Sequence, residues 1–336
     1  MNPVRMAMIG CGAIAEQGHL PGARLADKVA FTVLIDRDEA RAQALATRFG
    51  IPHVATDIAA AADYADAACV ALPHHIHRQA TELLLDRGLH ILIEKPLATT
   101  LADCDAMLET AARAQRTVGV AMVRRYAPSS RYLKQLVDSG MLGRIEHIHI
   151  VSGVGDAWAG QSLYMLSARE SGGGVLMCNG CHDLDALTWL LGPVASLECQ
   201  IDSAFGLEGN CRIDCTMASG ATGVVELSRT VTLNNMIRIE GTNGTVVAPL
   251  IGAGLTLIPH GGPLSLTGAV DDATFDFPQL MADQLDDFAS AIQDGRAPLA
   301  DGAAGRDIVA LIERCYAWAK PMSLPWARPV AMPVAA

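Results

Sequence analysis

MAMIGCGAIA, residues 6–15, is the stretch that decides the fold of the first half of this chain. It has the pattern of a short apolar strand, a glycine turn and the start of a helix. Gly10 allows the tight turn, Gly12 lets the backbone come close to a pyrophosphate, and the small Ala15 lets the helix pack on the strand. Unpaired N–H groups at a helix start favour an anion, so the pattern predicts a dinucleotide-binding turn.

The next apolar run supports this interpretation, because the glycine pattern alone is also typical of an ordinary strand–turn–helix. Val29–Ile35 ends in Asp36, about 20 residues beyond the turn, where dinucleotide-binding folds place a ribose-binding carboxylate. A carboxylate there accepts hydrogen bonds from ribose hydroxyls and repels a 2′-phosphate, which favours NAD over NADP. Arg37 could pair with that phosphate, so NADP stays open, and a plain strand-end turn residue is the alternative for Asp36.

Length, charge and cysteine usage limit the class of protein. The 336 residues suit two domains, and 51% hydrophobic residues suffice for sizeable cores. The formal net charge of -11 and the lack of a Lys/Arg cluster argue against a nucleic-acid partner. No run of about 20 apolar residues exists, so no membrane span is expected. The nine scattered cysteines show no disulfide framework, which indicates a cytoplasmic protein.

The first 122 residues alternate strands with helices. Apolar runs typical of strands cover 6–9, 29–35, 67–72, 90–93 and 117–121, with helical patterns over 39–49, 78–87 and 101–115. This alternation predicts an α/β Rossmann domain over 1–122, built on a doubly wound parallel sheet. Ligands of such sheets bind beyond the carboxyl ends of the strands.

The texture changes from residue 123 onward. Strand patterns follow one another over 145–151, 196–201, 211–217, 223–227, 236–240, 245–247 and 255–258. Turn signals separate them, so the sequence predicts an α+β domain over 123–336 with a large, mostly antiparallel open sheet. One sheet face should pack on helices and the other is available to a second subunit. We therefore expect a substrate-binding and oligomerisation domain, in a homodimer or homotetramer.

Lys95 stands at the end of a predicted parallel strand, near where a nicotinamide would lie. Its ammonium can donate a hydrogen bond to a substrate oxygen and stabilise alkoxide character as hydride leaves the carbon. The alternative is a solvated lysine in a turn. Pro73-His74 and Arg124-Arg125 also follow predicted strands and should lie at the same edge.

His182 begins a predicted helix over 181–191 and is the natural proton carrier near neutral pH. It could take the proton of a substrate hydroxyl, or it could be a helix-start histidine bonded to the backbone. Asp185 is a neighbour on the same helical surface and could orient the imidazole or pair locally. The glycines at 172–174 permit a close approach to the first domain.

Motifs along nearly the whole chain resemble the glucose–fructose oxidoreductase, inositol dehydrogenase and rhizopine catabolism (Gfo/Idh/MocA) family. They are GCGAIA at 10–15 with His19, the loop 73–77, GLHILIEKPL at 88–97, Arg125-Tyr126, SGMLG at 139–143, GGG at 172–174 with Gly180 and His182, and GTNG at 241–244. The resemblance implies an NAD(P)-dependent oxidoreductase that moves hydride between nicotinamide and a hydroxyl-bearing carbon of a sugar, cyclitol or related polyol. It also implies catalytic roles for Lys95 and His182, a Lys95–Pro96 bond that could be cis, and His77 in the nicotinamide pocket.

Together these arguments give a set of expected site residues. Those expected to bind the cofactor are Gly10, Gly12, Ala13, Ile14, Asp36, Arg37, Leu72, Pro73, His74, His77, Glu94, Lys95 and Pro96. Those expected to bind substrate are Arg124, Arg125, Tyr126, Cys178, Asn179 and Asp185. No metal site is predicted, because adjacent loop histidines such as those at 74, 75 and 77 rarely converge on one ion.

One residue departs from the family pattern. Cys178 stands four residues before His182, where the family usually carries an aspartate. A neutral thiol supplies no charge to raise the basicity of the imidazole. Two alternatives to a dehydrogenase stay open, and Cys178 favours the first of them. One is a redox-neutral enzyme with tightly bound NAD, in which transient oxidation drives elimination, hydrolysis or epimerisation, and the other is a non-catalytic NAD-binding sensor.

Overall fold

The computed structural model describes residues 2–153, 163–202, 207–252, 254–261, 266–268 and 276–322. Within these ranges the chain forms one parallel and one mostly antiparallel β-sheet, with helices packed on both. The predicted fold class is confirmed.

The first sheet has six strands, all paired in parallel in the order β3-β2-β1-β4-β5-β6. They are β1 Val4–Ile9, β2 Val29–Ile35, β3 His53–Ala55, β4 Ala67–Val70, β5 His90–Ile93 and β6 Val118–Val120. The helices between them are α1 Leu20–Ala23, α2 Glu39–Phe49, α3 Ala61–Tyr64, α4 His77–Asp86 and α5 Leu101–Ala114. A π-helical turn, Ala15–His19, leads into α1.

Local chemistry explains why these elements form. Residues 6–9 of β1 are all 0% exposed, as expected for a parallel strand that helices cover on both faces. Helix α2 begins where the side chain of Asp38 accepts a hydrogen bond from the N–H of Arg41. It ends at Gly50, whose φ of +74° is a left-handed conformation that suits glycine.

The second half forms a nine-stranded sheet in the order β14-β13-β12-β11-β7-β10-β9-β8-β15. Its strands are β7 Ile145–Gly153, β8 Val194–Ile201, β9 Asn210–Met217, β10 Thr222–Ser228, β11 Met236–Gly241, β12 Gly244–Pro249, β13 Leu255–Pro259, β14 Leu266–Gly268 and β15 Ala319–Pro321. The helices are α6 Pro128–Asp138, α7 Ala168–Ser171, α8 Cys181–Leu191, α9 Phe277–Asp294 and α10 Gly302–Ala317. Only the β7–β10 and β8–β15 pairs among these strands are parallel.

Alternation along the strands separates the two faces of this sheet. In β9, Ile213 and Met217 are buried, whereas Arg212 and Asp214 are half-exposed and pair with each other. Arg212 also pairs with Glu226 of β10 at 2.7 Å. The inward face therefore packs on helices such as α8, and the outward face carries a network of charged side chains.

Helix α9 connects the two halves of the chain. Its Leu285, Phe288 and Ala289 lie in one hydrophobic core with Met6 and Met8 of β1. A helix that the sequence assigns to 123–336 thus packs on the first sheet, and the predicted boundary at residue 122 stays a prediction. No helix in the described ranges is both long enough and apolar enough to cross a bilayer.

The contact between α1 and α9 leaves no space for a side chain at Gly22. A Cβ there would lie 2.6 Å from Cβ of Met281 and 3.0 Å from the backbone nitrogen of Ala282. We expect Gly22→Ala to lower the free energy of unfolding by about 1–3 kcal/mol, because backbone atoms cannot move aside. Urea denaturation of both proteins measures this. An unchanged midpoint and slope would contradict the packing described here.

Candidate active site

The glycine turn after β1 contains one glycine that the fold requires and one that it does not. Gly10 has a φ of +93°, and a Cβ on it would lie 2.3 Å from the carbonyl oxygen of Ala71. A Cβ on Gly12 would meet no described heavy atom within 4 Å, and the half-buried Ala13 and Ile14 follow it. The open space beside the backbone of Gly12 fits the close approach of a dinucleotide pyrophosphate.

Asp36 lies at the end of β2 and is tied to this turn. One of its carboxylate oxygens accepts a hydrogen bond from the N–H of Cys11 at 2.7 Å, and the other from the N–H of Asp38 at 2.9 Å. The carboxylate predicted to bind ribose therefore lies beside the glycine turn. The bond to Asp38 also makes Asp36 a turn residue. The adjacent Arg37 is exposed.

His19 and Glu94 form a buried ion pair between the first helix and the loop after β5. The Nε2–Oε1 distance is 2.8 Å, with side-chain exposures of 0% and 12%. Burial disfavours the charged forms of both side chains. The Cys69 sulfur and the Glu94 carboxylate nevertheless raise the pKa of His19, and His19 lowers the pKa of Glu94. The pair with His19 thus anchors the loop that contains Lys95. The anchor is the helical turn that follows the glycines.

His77 joins the loops after β4 and β5. Its ring nitrogens lie 2.9 Å from the carbonyl oxygen of Leu72 and 3.0 Å from that of Pro96, and the side chain is 0% exposed. Pro73, in the loop after β4, is half-buried. In this conformation the ring offers no surface to a nicotinamide, so a direct contact between His77 and the cofactor stays a prediction.

His74 holds a tyrosine hydroxyl that the sequence did not indicate. Its Nδ1 donates to the carbonyl oxygen of Ser171 at 2.8 Å, so its Nε2 accepts from the hydroxyl of Tyr164, 3.3 Å away. Burial, helped by the nearby His77, lowers the pKa of His74 to about 3 and keeps the ring neutral. No local pattern marks Tyr164, which lies 90 residues away in sequence.

Lys95 reaches from the first sheet to the second half of the chain. Its Nζ donates a hydrogen bond of 2.7 Å to the main-chain carbonyl oxygen of Cys178, one turn before His182. The Lys95–Pro96 peptide bond is cis. Lys95 therefore contacts the turn that leads into the helix of His182. We name this junction, formed by Lys95 and residues 178–182, the candidate cleft.

His182 is half-buried and neutral. Burial is the main cause that holds the pKa of His182 well below the ordinary histidine value, and the charges of Lys95 and Arg124 lower it further. Its Nδ1 is buried without a hydrogen-bond partner among the described residues. No carboxylate of the described residues is bonded to the ring, so His182 can accept a proton but binds it weakly.

The arginines after β6 pair with aspartates of α8. Arg124 Nη1 donates to Asp183 at 2.6 Å, and Arg125 forms a two-pronged bond with Asp185 at 2.6 and 2.9 Å. Burial raises the pKa of both aspartates, and each arginine works against that rise. Asp185 is thus bonded to Arg125, 60 residues away in sequence, and its predicted contact with His182 or a substrate stays a prediction.

The other residues expected to bind substrate also have protein partners. Tyr126 donates to Asp287 at 2.9 Å, and the Cys178 thiol donates to the carbonyl oxygen of Gly173 at 3.9 Å. Asn179 Oδ1 accepts from Arg229 at 3.3 Å. Their contacts with a substrate stay predictions, and only Asn179 among these three is half-exposed.

Glu208 is a second residue that sequence reasoning missed. It is 2% exposed, and its carboxylate accepts hydrogen bonds from the N–H groups of Gly174 at 3.0 Å and Leu176 at 2.8 Å, and from the hydroxyl of Tyr316 at 2.8 Å. It thereby fixes the start of the π-helical turn Leu176–Gly180 that leads into α8. A single glutamate on a loop gives no sequence signal for this role.

No group of three His, Cys, Asp or Glu side chains in the described part of the chain is placed to hold a metal ion. Of the three histidines at 74, 75 and 77, the first and last bond to carbonyl oxygens instead.

Two family models match the chain in succession. Residues 4–122 match the GFO/IDH/MocA oxidoreductase family with its NAD-binding Rossmann fold, and residues 130–247 match the GFO/IDH/MocA C-terminal domain. Among similar proteins, NADP(+)-dependent D-xylose 1-dehydrogenases from Haloferax volcanii and Haloarcula marismortui are each 26% identical. They align over 92% and 94% of this chain and 95% and 91% of their own. A D-glucoside 3-dehydrogenase from Escherichia coli is 27% identical over 62% of this chain and 61% of its own.

Solved structures share the fold. The aldose–aldose oxidoreductase of Caulobacter crescentus, complexed with glycerol, superposes with a TM-score of 0.85 at 24% identity, covering 94% of this chain and 97% of that chain. A levoglucosan dehydrogenase in complex with NADH and levoglucosan gives a TM-score of 0.86 at 19% identity over the same shares of the two chains.

The two glycines of the turn should respond differently to the same added methyl group. We expect Gly12→Ala to keep the thermal midpoint but to weaken NAD binding by on the order of tenfold or more, about 1.4 kcal/mol, because the methyl fills the open space. Gly10→Ala should instead lower the stability by about 1–3 kcal/mol, because it strains the backbone.

Calorimetric titration with NAD and thermal denaturation of both variants measure these effects. If Gly12→Ala binds NAD as the unaltered protein does, the turn does not hold the pyrophosphate.

Proposed function

This chain belongs to the Gfo/Idh/MocA oxidoreductase family, and from that premise we propose that it is an NAD(P)-dependent dehydrogenase of sugars, cyclitols or related polyols. Bound nicotinamide supplies the hydride acceptor at a carbon that bears a hydroxyl. The observation that carries the proposal is the 2.7 Å bond from Lys95 to the main chain of the segment that leads to His182. The bond supports a shared site for the ammonium and the imidazole, as does the effect of the Lys95 charge, which helps to lower the pKa of His182.

Lys95 has the role of stabilising developing negative charge. In the absence of substrate its ammonium donates to a neutral carbonyl oxygen, which a substrate oxygen can replace or join. An ammonium aimed at an oxygen that becomes alkoxide-like lowers the energy of the transition state more than that of the ground state.

His182 has the role of proton acceptor. Its neutral state suits it to take the hydroxyl proton while hydride leaves the neighbouring carbon. Because its Nδ1 has no carboxylate partner in the described part of the chain, the imidazolium would be short-lived and would pass its proton on quickly.

The cofactor preference is proposed to be NAD. The carboxylate of Asp36 beside the turn would accept hydrogen bonds from ribose hydroxyls and repel a 2′-phosphate. The exposed Arg37 keeps NADP use possible, and the xylose dehydrogenases among the relatives are NADP(+)-dependent. Those relatives also support a sugar-type substrate.

A redox-neutral reaction with retained NAD is the second candidate, and the unpartnered Nδ1 of His182 favours it. In such a reaction the ring has to hold the proton only until it returns to the product in the same turnover. Release of NADH into solution during turnover separates the two, because only the dehydrogenase produces it.

We also propose that the protein works in the cytoplasm as a homodimer or homotetramer. All nine cysteines are free thiols in the structure, which supports a reducing compartment. The charged outer face of the nine-stranded sheet, with Glu226 bonded to both Arg212 and His149, supports a polar contact between subunits.

Lys95 should be needed for turnover and not for cofactor binding. With a panel of sugars, cyclitols and polyols, we expect NADH formation by the unaltered enzyme and a loss of about 10²- to 10³-fold in kcat for Lys95→Met. NAD affinity should stay nearly the same. Lys320→Met, at a lysine side chain that is 63% exposed, is the control. An active Lys95→Met enzyme would refute the catalytic assignment.

The pH profile should reflect the low pKa of His182. A proton acceptor works in its unprotonated form, and a lowered pKa keeps His182 unprotonated as the pH falls through the ordinary histidine value of about 6.5. We therefore expect kcat/KM for oxidation to stay level as the pH falls through that value and to decline only at lower pH, through protonation of this ring. The limb should be absent from the residual activity of His182→Asn, and a limb centred above pH 7 would contradict the assignment.

A further inference from the structure

Arg229 is a cation at the cleft without an acidic partner. It follows directly after β10, is half-buried, and its Nη2 donates to Oδ1 of Asn179 at 3.3 Å, the long end of the range for a hydrogen bond. No described carboxylate lies within 4.0 Å of its guanidinium, since it takes part in none of the ion pairs of the described residues. Four of its five N–H donors therefore have no side-chain partner in the described part of the chain.

Three other cationic side chains around the cleft have acidic partners. Arg124 and Arg125 each bond an aspartate of α8, and His19 bonds Glu94. Lys95, like Arg229, contacts only a neutral oxygen in the described structure. Lys95 and Arg229 thus have no acidic side chain bonded to them in the described structure, and the nearby carboxylate of Glu208 instead binds N–H groups at the start of the turn.

Arg229 contacts the segment that links the two reacting groups. Its partner Asn179 comes one residue after Cys178, whose carbonyl oxygen binds Lys95, and three residues before His182. Burial raises the pKa of the Tyr164 hydroxyl, and the charge of Arg229 works against that rise, so the guanidinium also lies near this hydroxyl.

We propose that the substrate is an acidic sugar, an aldonate or a uronate, whose carboxylate binds to Arg229 while its reacting hydroxyl lies between Lys95 and His182. This inference rests on the proposed function and names the substrate class of the same site. A guanidinium presents parallel N–H donors that match the two oxygens of a carboxylate. The negative charge also compensates the charge of Arg229, to which no described carboxylate is bonded, and a neutral sugar cannot do this.

Asn179 positions Arg229 in this scheme. Its amide oxygen holds one N–H of the guanidinium without neutralising the charge. An aspartate of the same shape would form an internal ion pair with Arg229 and compete with the substrate carboxylate. The position thus allows a test that adds one charge and hardly changes the volume.

The test compares matched sugars that differ in one carboxylate. The NAD-loaded enzyme is titrated calorimetrically with D-glucuronate and D-glucose, and with D-galacturonate and D-galactose, and kcat/KM is measured for each. We expect the acids to bind and react better by about 10- to 100-fold, the range of a hydrogen bond to a charged group. Glucose 6-phosphate is the third arm, and tighter binding of this ester than of the uronates would overturn the assignment to carboxylates.

Two variants assign the preference to Arg229. In Arg229→Gln and Asn179→Asp the ratio of acid to neutral sugar should collapse toward one, whereas Arg229→Lys should keep part of it. Thermal midpoints confirm that the variants are folded.

Binding keeps this inference distinct from the proposed function. Equal or weaker binding of the acids by the unaltered enzyme overturns the acidic-sugar assignment, even if neutral sugars are oxidised. Preferential binding of the acids that depends on Arg229, without NADH formation from any sugar, supports the assignment and counts against the dehydrogenase. An acid preference that persists in both variants shows that another group binds the carboxylate.

Discussion

Two buried arginine–aspartate pairs hold α8 against the segment that follows β6, and the geometry of the cleft depends on them. Both aspartates are almost fully buried, so each is stable as an anion only while its arginine stays in place. Leaving one buried charge unpaired costs about 3–5 kcal/mol, a large fraction of the stability of an ordinary domain. This penalty excludes many alternative placements of α8 and so fixes His182 relative to Lys95.

The pairs also show which charged side chains have a structural role and which remain available to a ligand. Arginines that follow a strand end were natural candidates for binding substrate, but Arg125 is 8% exposed and bonded on several sides. Lys95 and Arg229 contact only neutral oxygens in the described structure, and their charges remain available to a ligand. Two consecutive family models match the chain, and its cleft contains these two cations. Together they narrow the expected reaction from hydride transfer in general to hydride transfer on hydroxyl-bearing substrates.

The sequence predicted the features that depend on local pattern. The parallel and antiparallel sheets, the glycine turn with Asp36 and the meeting of Lys95 with the helix of His182 are present, and the family resemblance is confirmed. Strands β3, β14 and β15, each of three residues, were missed because so short a run carries little periodicity. Tyr164 and Glu208 were missed because their partners lie tens of residues away. The position of a residue at a strand end indicated that its side chain lies near the cleft, but not which group that side chain binds.

The oxygen that holds Lys95 belongs to the peptide backbone at position 178 and not to a side chain. Every amino acid carries that carbonyl, so the residue type there can drift through evolution while the anchor of the lysine persists. Constraint falls instead on the path of the main chain, which the carboxylate of Glu208 and the tightly packed glycines at 173 and 174 define. Comparing residue identities at position 178 across relatives therefore cannot tell which of them keep the lysine anchored.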